Sequence, residues 1–282
     1  MHFDHGSIPA DYADPITKKT GMICAILTLL AGLAIISISL GPIKLGVAEI
    51  FNALGRIGWT GQTGMTRTDL IIWNIRLPQT IAAVVAGTGL ACSGVVMQSV
   101  LKNPLASPFT LGISHAAAFG AALSVMVLSS GIPAGLTARV QGVTASAITI
   151  GAAFFFSMLT AGIITWMAKH RGASAQVMVL AGIALGSLYS AGTMMLQFFA
   201  DDIQLAAMVF WTFGDLSRAD WNDLGIMACA TGIILVFFLL QARSYNAMIL
   251  GDETAKGLGV NVERVRLAAM IDEWKNAGTE LD

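Results

Sequence analysis

Polar segments divide the chain into apolar stretches long enough to cross a bilayer, at approximately Met22–Gly41, Pro78–Leu101, Phe109–Ser130, Val143–Ala168, Gln176–Phe199 and Asp223–Leu240. A helix of about 20 residues spans the hydrocarbon layer. Apart from Asp223 at the edge of the last, none of these stretches carries Asp, Glu, Lys or Arg. Each such residue at a helix centre costs about 2.5–3.5 kcal/mol. The runs are continuous rather than alternating, which excludes a strand barrel. The pattern predicts an all-α, polytopic helical bundle with six transmembrane helices. The first run is longer than a signal-peptide core and no clean small-residue cleavage site follows it, so an uncleaved span is expected.

Two shorter segments show a different period. Val47, Ile50, Phe51 and Leu54 recur at helical spacing before Gly55, predicting an amphipathic helix on the outer surface. A second is expected after Asp202, with Ile203, Ala206, Ala207 and Phe210 on one side. Within the spans, Gly112, Ala116, Gly120 and Ser124 repeat every fourth position, and Gly182 and Gly186 do the same in the fifth run. Such faces let helix backbones approach closely. Gly186, Ser190, Thr193 and Gln197 also share one helical face. Lipid offers nothing to that polar stripe, so it faces water or protein; pathway lining and helix packing both remain open.

Composition narrows the class. Of 282 residues, 55% are hydrophobic and 12% charged, about half the charged share of a soluble domain. A net charge of -1 gives no footprint for nucleic acid. Cys24, Cys92 and Cys229 lie far apart inside apolar runs, as packing residues rather than ligands or disulfides. The histidines His2, His5, His115 and His170 are scattered, and no phosphate-binding Gly-rich loop is present. No catalytic constellation and no metal-ligand set emerges. His115 is the ionisable exception within a span, a functional candidate for the substrate path, although its place near the helix start would also suit capping.

With the N-terminus in the cytoplasm, Lys44, Arg56, Arg67, Arg76, Arg139 and Arg218 fall outside, leaving ten of the 16 Lys and Arg inside. That bias fits the positive-inside rule.

Three segments carry a resemblance. The first runs from Arg76-Leu77-Pro78 through Gly87, Gly94 and Gln98 to Asn103-Pro104-Leu105-Ala106-Ser107-Pro108, then Leu111-Gly112-Ile113-Ser114. The second is Leu180–Gly186; the third is Leu250-Gly251-Asp252-Glu253-Thr254-Ala255-Lys256-Gly257-Leu258-Gly259. In this order they resemble the FecCD-type permeases of ABC importers for iron–siderophore, haem and cobalamin, over roughly residues 20 to 270. Gln98, Asn103, Pro104, Leu105, Ala106, Pro108 and Gly112 are the signature.

The resemblance implies a transport subunit in the cytoplasmic (inner) membrane. Its expected partners are a second permease subunit, in a homo- or heterodimer, two cytoplasmic ATPases and an extracytoplasmic substrate-binding protein. ATP and Mg are expected on the ATPase, with no cofactor in this chain. Arg76 resembles a docking residue for the binding protein; Gln79 stands where the family carries a second Arg. Gly251, Asp252, Ala255, Lys256, Leu258 and Gly259 are expected to couple to the ATPase, with Asp252 capping a short helix and pairing with Lys256. Ala175 and Gln176 would form a cytoplasmic gate loop. His115, Gly186, Ser190, Thr193 and Gln197 would line the pathway.

Relatives typically carry ten spans against the six here, and residues 272–282 are strongly polar. The expectation is therefore one incomplete permease domain over 1–271 and a cytoplasmic tail over 272–282. A truncated, non-transporting fragment is the alternative. A secondary transporter would favour carboxylates buried in the spans, and the spans contain none.

Overall fold

Every regular element among the described residues is helical. The structure, a computed structural model, describes residues 10–41, 43–60, 66–131, 143–170, 175–217, 219–262, 264–266 and 269. In chain order the helices are α1 (Ala10–Ser39), α2 (Val47–Thr60), α3 (Arg67–Ile71), α4 (Leu77–Leu101), α5 (Ile113–Gly131), α6 (Val143–His170), α7 (Ala175–Phe199), α8 (Asp202–Phe213), α9 (Trp221–Ile249) and α10 (Asp252–Gly257). A π-helical stretch, Ile72–Arg76, joins α3 to α4 without a break. The expected tail over 272–282 lies outside the described residues.

The chain divides into two compact units, Met1–Thr80 and Ile81–Asp282. In the first, Ile38 and Leu45 pack with Ile50, Ala53 and Ile72. The amphipathic helix forms where the spacing predicts, but its buried stripe is shifted. Ile50 and Ala53 are buried, whereas Val47 and Phe51 remain about half exposed. Phe51 therefore fills no core among the described residues. α3 starts on a capping box: the Asp69 N–H donates to Thr66 Oγ1, and the Thr66 N–H donates to Asp69 Oδ2. Arg56 of α2 reaches the same carboxylate at 2.7 Å, tying α2 to α3.

In the second unit, glycine decides how closely the helices pack. A Cβ at Gly112 would fall 2.6 Å from the Gly182 carbonyl oxygen, and one at Gly182 would fall 2.5 Å from Leu111 Cα. Backbone of α7 thus rests directly on the start of α5. A Cβ at Gly120 would strike the Ala152 carbonyl of α6 at 2.5 Å, and the Ser124 hydroxyl donates to Thr149 on α6. The single small-residue stripe of α5 serves two neighbours.

The third expected span starts later than its apolar run. Residues Pro108–Leu111 form a 3₁₀ turn, and Gly112 breaks it with φ +70°. α5 begins only at Ile113 because that left-handed residue cannot continue a helix. The helices at the chain's first and sixth apolar runs extend past them, to Ala10 and to Ile249. Apolarity marks what lipid would cover, and polar residues such as Gln241 and Arg243 continue α9 without a breaker. Five helices are long and apolar enough to cross a membrane among the described residues; Ile113–Leu128 and Asp202–Phe213 are shorter apolar helices. α8 follows Asp202 as expected, started by a reciprocal Asp201–Gln204 cap. Its inward residues are Gln204 and Met208, while Ile203 and Phe210 are exposed, so the face picked from the sequence is the outer one.

Candidate functional site

The polar stripe of α7 separates into distinct roles once α5 lies against it. Gly186 is buried, and a Cβ there would sit 3.1 Å from the His115 ring and 3.3 Å from Gly112 Cα. That close approach brings His115 Nδ1 within 3.1 Å of Ser190 Oγ. The imidazole itself remains exposed. Thr193 is buried and donates its hydroxyl to the Tyr189 carbonyl of its own helix, as span threonines do when nothing else calls on them. Gln197 is half-buried. The structure therefore joins His115 to Ser190, while Gly186 and Thr193 are buried between and within the helices.

An aromatic cluster that the sequence reading missed braces this pair. Tyr189 sits one residue before Ser190, with its ring centroid 5.5 Å from Phe119 and 6.2 Å from Phe156. Gly192 makes room, since a Cβ would meet Phe119 at 2.7 Å. The signal was a glycine one turn from the polar stripe.

The signature block shapes the other end of α4. Lys102 takes φ +50°, and the Asn103 N–H donates to Gln98 O, a Schellman-type stop with lysine where glycine is usual. Asn103 Oδ1 then accepts from the Leu105 N–H, closing an Asx turn. Pro104 follows naturally, having no N–H to satisfy. Ala106 is buried against Met97 and Leu111, whereas Gln98 and Leu105 are exposed. Pro108 occupies the first turn of the 3₁₀ segment. These residues turn the chain between two helices.

The expected ATPase-coupling loop folds as a short helix between two left-handed glycines, Gly251 at φ +119° and Gly259 at φ +82°. Gly251, not Asp252, stands at its cap position. Asp252 is also not paired with Lys256 among the described residues: its Oδ1 lies 2.8 Å from Lys102 Nζ and 3.2 Å from Arg266 Nη2. The i, i+4 rule loses here because two cations from other elements reach the carboxylate first. Burial alone would raise the Asp252 carboxyl, but hydrogen bonds and charge from Lys102 and Arg266 hold it below its usual range. Ala255 is fully buried in a cluster with Val100, Phe238 and Met248. Glu253, Lys256 and Leu258 are exposed. Arg266, given no site role from the sequence, was legible there as a cation set between Val265 and Leu267.

Arg76 is buried at 7% exposure. It donates to the carbonyls of Ile38 at 2.5 Å and Ser39 at 3.2 Å, and also to Ile43 O. The guanidinium thus caps the end of α1 instead of projecting as a docking cation. Gln79 is half-buried. Ala175 and Gln176, expected in a loop, are the first residues of α7; good helix formers with no breaker after them extend it to that point. Among the described residues, no group of three or more His, Cys, Asp and Glu gathers to hold a metal.

A sequence model of the FecCD transport family matches residues 28–272. A protein of Methanocaldococcus jannaschii, provisionally named an ABC transporter permease, is 45% identical over 266 residues, covering 94% of this chain and 73% of that one. The hemin transport system permease protein of Yersinia pestis is 33% identical, covering 89% of this chain and 70% of that one. A solved structure of a provisionally assigned metal-chelate type ABC transporter, in an inward-facing conformation, superposes with a TM-score of 0.72 at 22% identity. It covers 93% of this chain and 75% of its own.

Proposed function

The chain belongs to the FecCD transport family, and we propose that it serves as the permease subunit of an ATP-driven importer that moves a metal chelate across the cytoplasmic membrane. The cargo class is an iron–siderophore, haem or cobalamin. The observation that carries this reading is α10. Its inner face, Ala255, packs into the core beside α4 and α9, and its outer face offers Glu253, Lys256 and Leu258. A six-residue helix would not persist alone in water; held by the spans and exposed on one side, it suits a partner that pushes on it. That partner is a cytoplasmic ATPase, which supplies the ATP and Mg.

In this reading the N-terminus and the α9–α10 loop are cytoplasmic, and the permease works as a homo- or heterodimer beside an extracytoplasmic binding protein. Arg76 supports docking by fixing the end of α1 rather than by presenting its own charge. His115 and Ser190 are the pathway residues. The chelate meets a side chain that donates or accepts according to its tautomer.

The test is uptake of hemin, a ferric siderophore and cobalamin by cells lacking their own importers, with the chain and its ATPase co-expressed. ATP-dependent uptake of one of these is expected. Leu258→Asp should remove ATPase co-purification while membrane insertion stays intact. Uptake that follows an ion gradient without the ATPase would favour a secondary transporter instead.

A further inference from the structure

Three charged side chains from separate segments converge behind α10. Lys102 ends α4, Asp252 begins α10 and Arg266 lies in the segment after it. Asp252 bridges both cations, at 2.8 Å and 3.2 Å. Arg266 is only 5% exposed, and its Nη2 also lies 3.5 Å from the carbonyl of Val100. Around the node, Val96 and Val100 of α4 pack with Met248, Ala255, Val262 and Val265.

We infer that the Lys102–Asp252–Arg266 node is the link that carries movement of α10 to the end of α4. This rests on α10 being the ATPase-docking helix. Asp252 is a positioning residue here, and no cargo touches it.

Three observations support the link. A buried guanidinium separated from its counter-charge is strongly unfavourable, so α10 cannot move off without taking the Arg266 segment with it or losing that pair. The same guanidinium lies against α4 through Val100 O, so the motion has a second point of attachment. Third, Lys102 occupies a left-handed conformation, φ +50°, that residues with a side chain rarely adopt. Glycine would end the helix better there. A lysine that tolerates such backbone, with its ammonium on Asp252, is placed by the ion pair rather than by the turn. From Lys102 the chain runs through the Asn103 turn and the 3₁₀ segment to Gly112 and α5, which carries His115. The route ends at the pathway pair.

Lys102→Gly separates this role from simple stapling, because it suits the backbone and deletes the charge. The full chain is purified with its co-expressed ATPase, then reconstituted in liposomes. Two quantities are measured: ATPase retained, and ATP hydrolysed per molecule taken up of whichever of hemin, a ferric siderophore or cobalamin the wild-type chain carries. Lys102→Gly and Asp252→Asn should retain the ATPase fully while uptake per ATP falls at least tenfold. Asp252→Glu, which keeps the charge, should recover most of it. Unchanged coupling in Lys102→Gly would overturn the link and leave a staple, whatever Asp252→Asn does to folding. Failure of the wild-type chain to retain any ATPase would instead overturn the docking reading beneath it.

Discussion

Arg76 and Arg266 are nearly equally buried, at 7% and 5% exposure, yet the two units of the molecule use them differently. Arg76 spends its donors on backbone carbonyls at and beyond the end of α1. Those oxygens carry the negative end of the helix dipole and are fixed to the main chain. Arg266 faces a carboxylate on a six-residue helix, shared with a lysine that is partly exposed. The first arrangement holds one geometry, since any movement strands several carbonyls together. The second can move as a unit or exchange partners. A cation on backbone makes a brace; a cation on a shared side chain makes a joint.

If that contrast is right, the largest effect comes from removing the brace. Arg76→Met should destabilise the first unit by roughly 3 kcal/mol, because three charged hydrogen bonds are lost, one of them to the buried Ile38 residue. Arg76→Lys should recover less than half, since an ammonium cannot span the same fan of oxygens. Thermal unfolding in detergent, read at Trp73 on the π-helical stretch, measures both. A negligible shift for Arg76→Met would mean that water serves those carbonyls equally well.

A smaller effect tests the same brace from the opposite side. A Cβ at Gly41 would lie 2.8 Å from Arg76 Nη2. Gly41→Ala should therefore displace the guanidinium and cost about 1–2 kcal/mol, in the range of other overpacking changes. Combined with Arg76→Met the cost of the alanine should vanish, since the group it strikes is gone. Additive losses in a double-mutant cycle would place the strain elsewhere.

At the joint, stability should respond less than function. Asp252→Asn is expected to cost about 1–2 kcal/mol: it takes the counter-charge from the buried Arg266, but the side chain at 252 is 36% exposed, so solvent screens the pair, and the amide oxygen still accepts from the guanidinium. Lys102→Gly should be neutral or slightly stabilising, the better turn offsetting the lost ion pair. Unfolding midpoints that fall as far as those of Arg76→Met would erase the distinction between brace and joint.

How much of this could be read from the sequence depends on the range of the interaction. The apolar runs gave the spans, because insertion energy is local and additive. The Gly112 and Gly182 repeats marked faces of close approach, because small residues at helical spacing have few other uses in a membrane; that these two faces meet each other came only with the fold. What failed was anything set by a partner far along the chain. Asp252 and Lys256 sit at a favourable i, i+4 spacing, but Lys102 and Arg266 take the carboxylate through folding alone. Arg76 reads as a surface cation until the end of α1 lies beside it. His115 was visible as an ionisable residue in a span; that its partner would be Ser190 was not.

The smallest expected effect concerns pH, and it separates the joint from a titrating switch. The Asp252 carboxyl is held below its ordinary value by Lys102 and Arg266 against the opposing effect of burial. A carboxyl depressed in the folded state contributes stability that is fully present above its unfolded value, about 3.9, and is lost as pH falls through the folded value. The node should therefore stay charged and intact from pH 5 to 8, with uptake per ATP hydrolysed unchanged by the carboxylate across that window. Asp252→Asn carries no charge to lose and should show the same flat profile at a lower level. His115→Gln, at the far end of the route, serves as the control for any slope that appears. A pH-dependent coupling ratio that survives His115→Gln but disappears in Asp252→Asn would show the node releasing its proton within the working range. The joint would then act as a switch rather than as a permanent link.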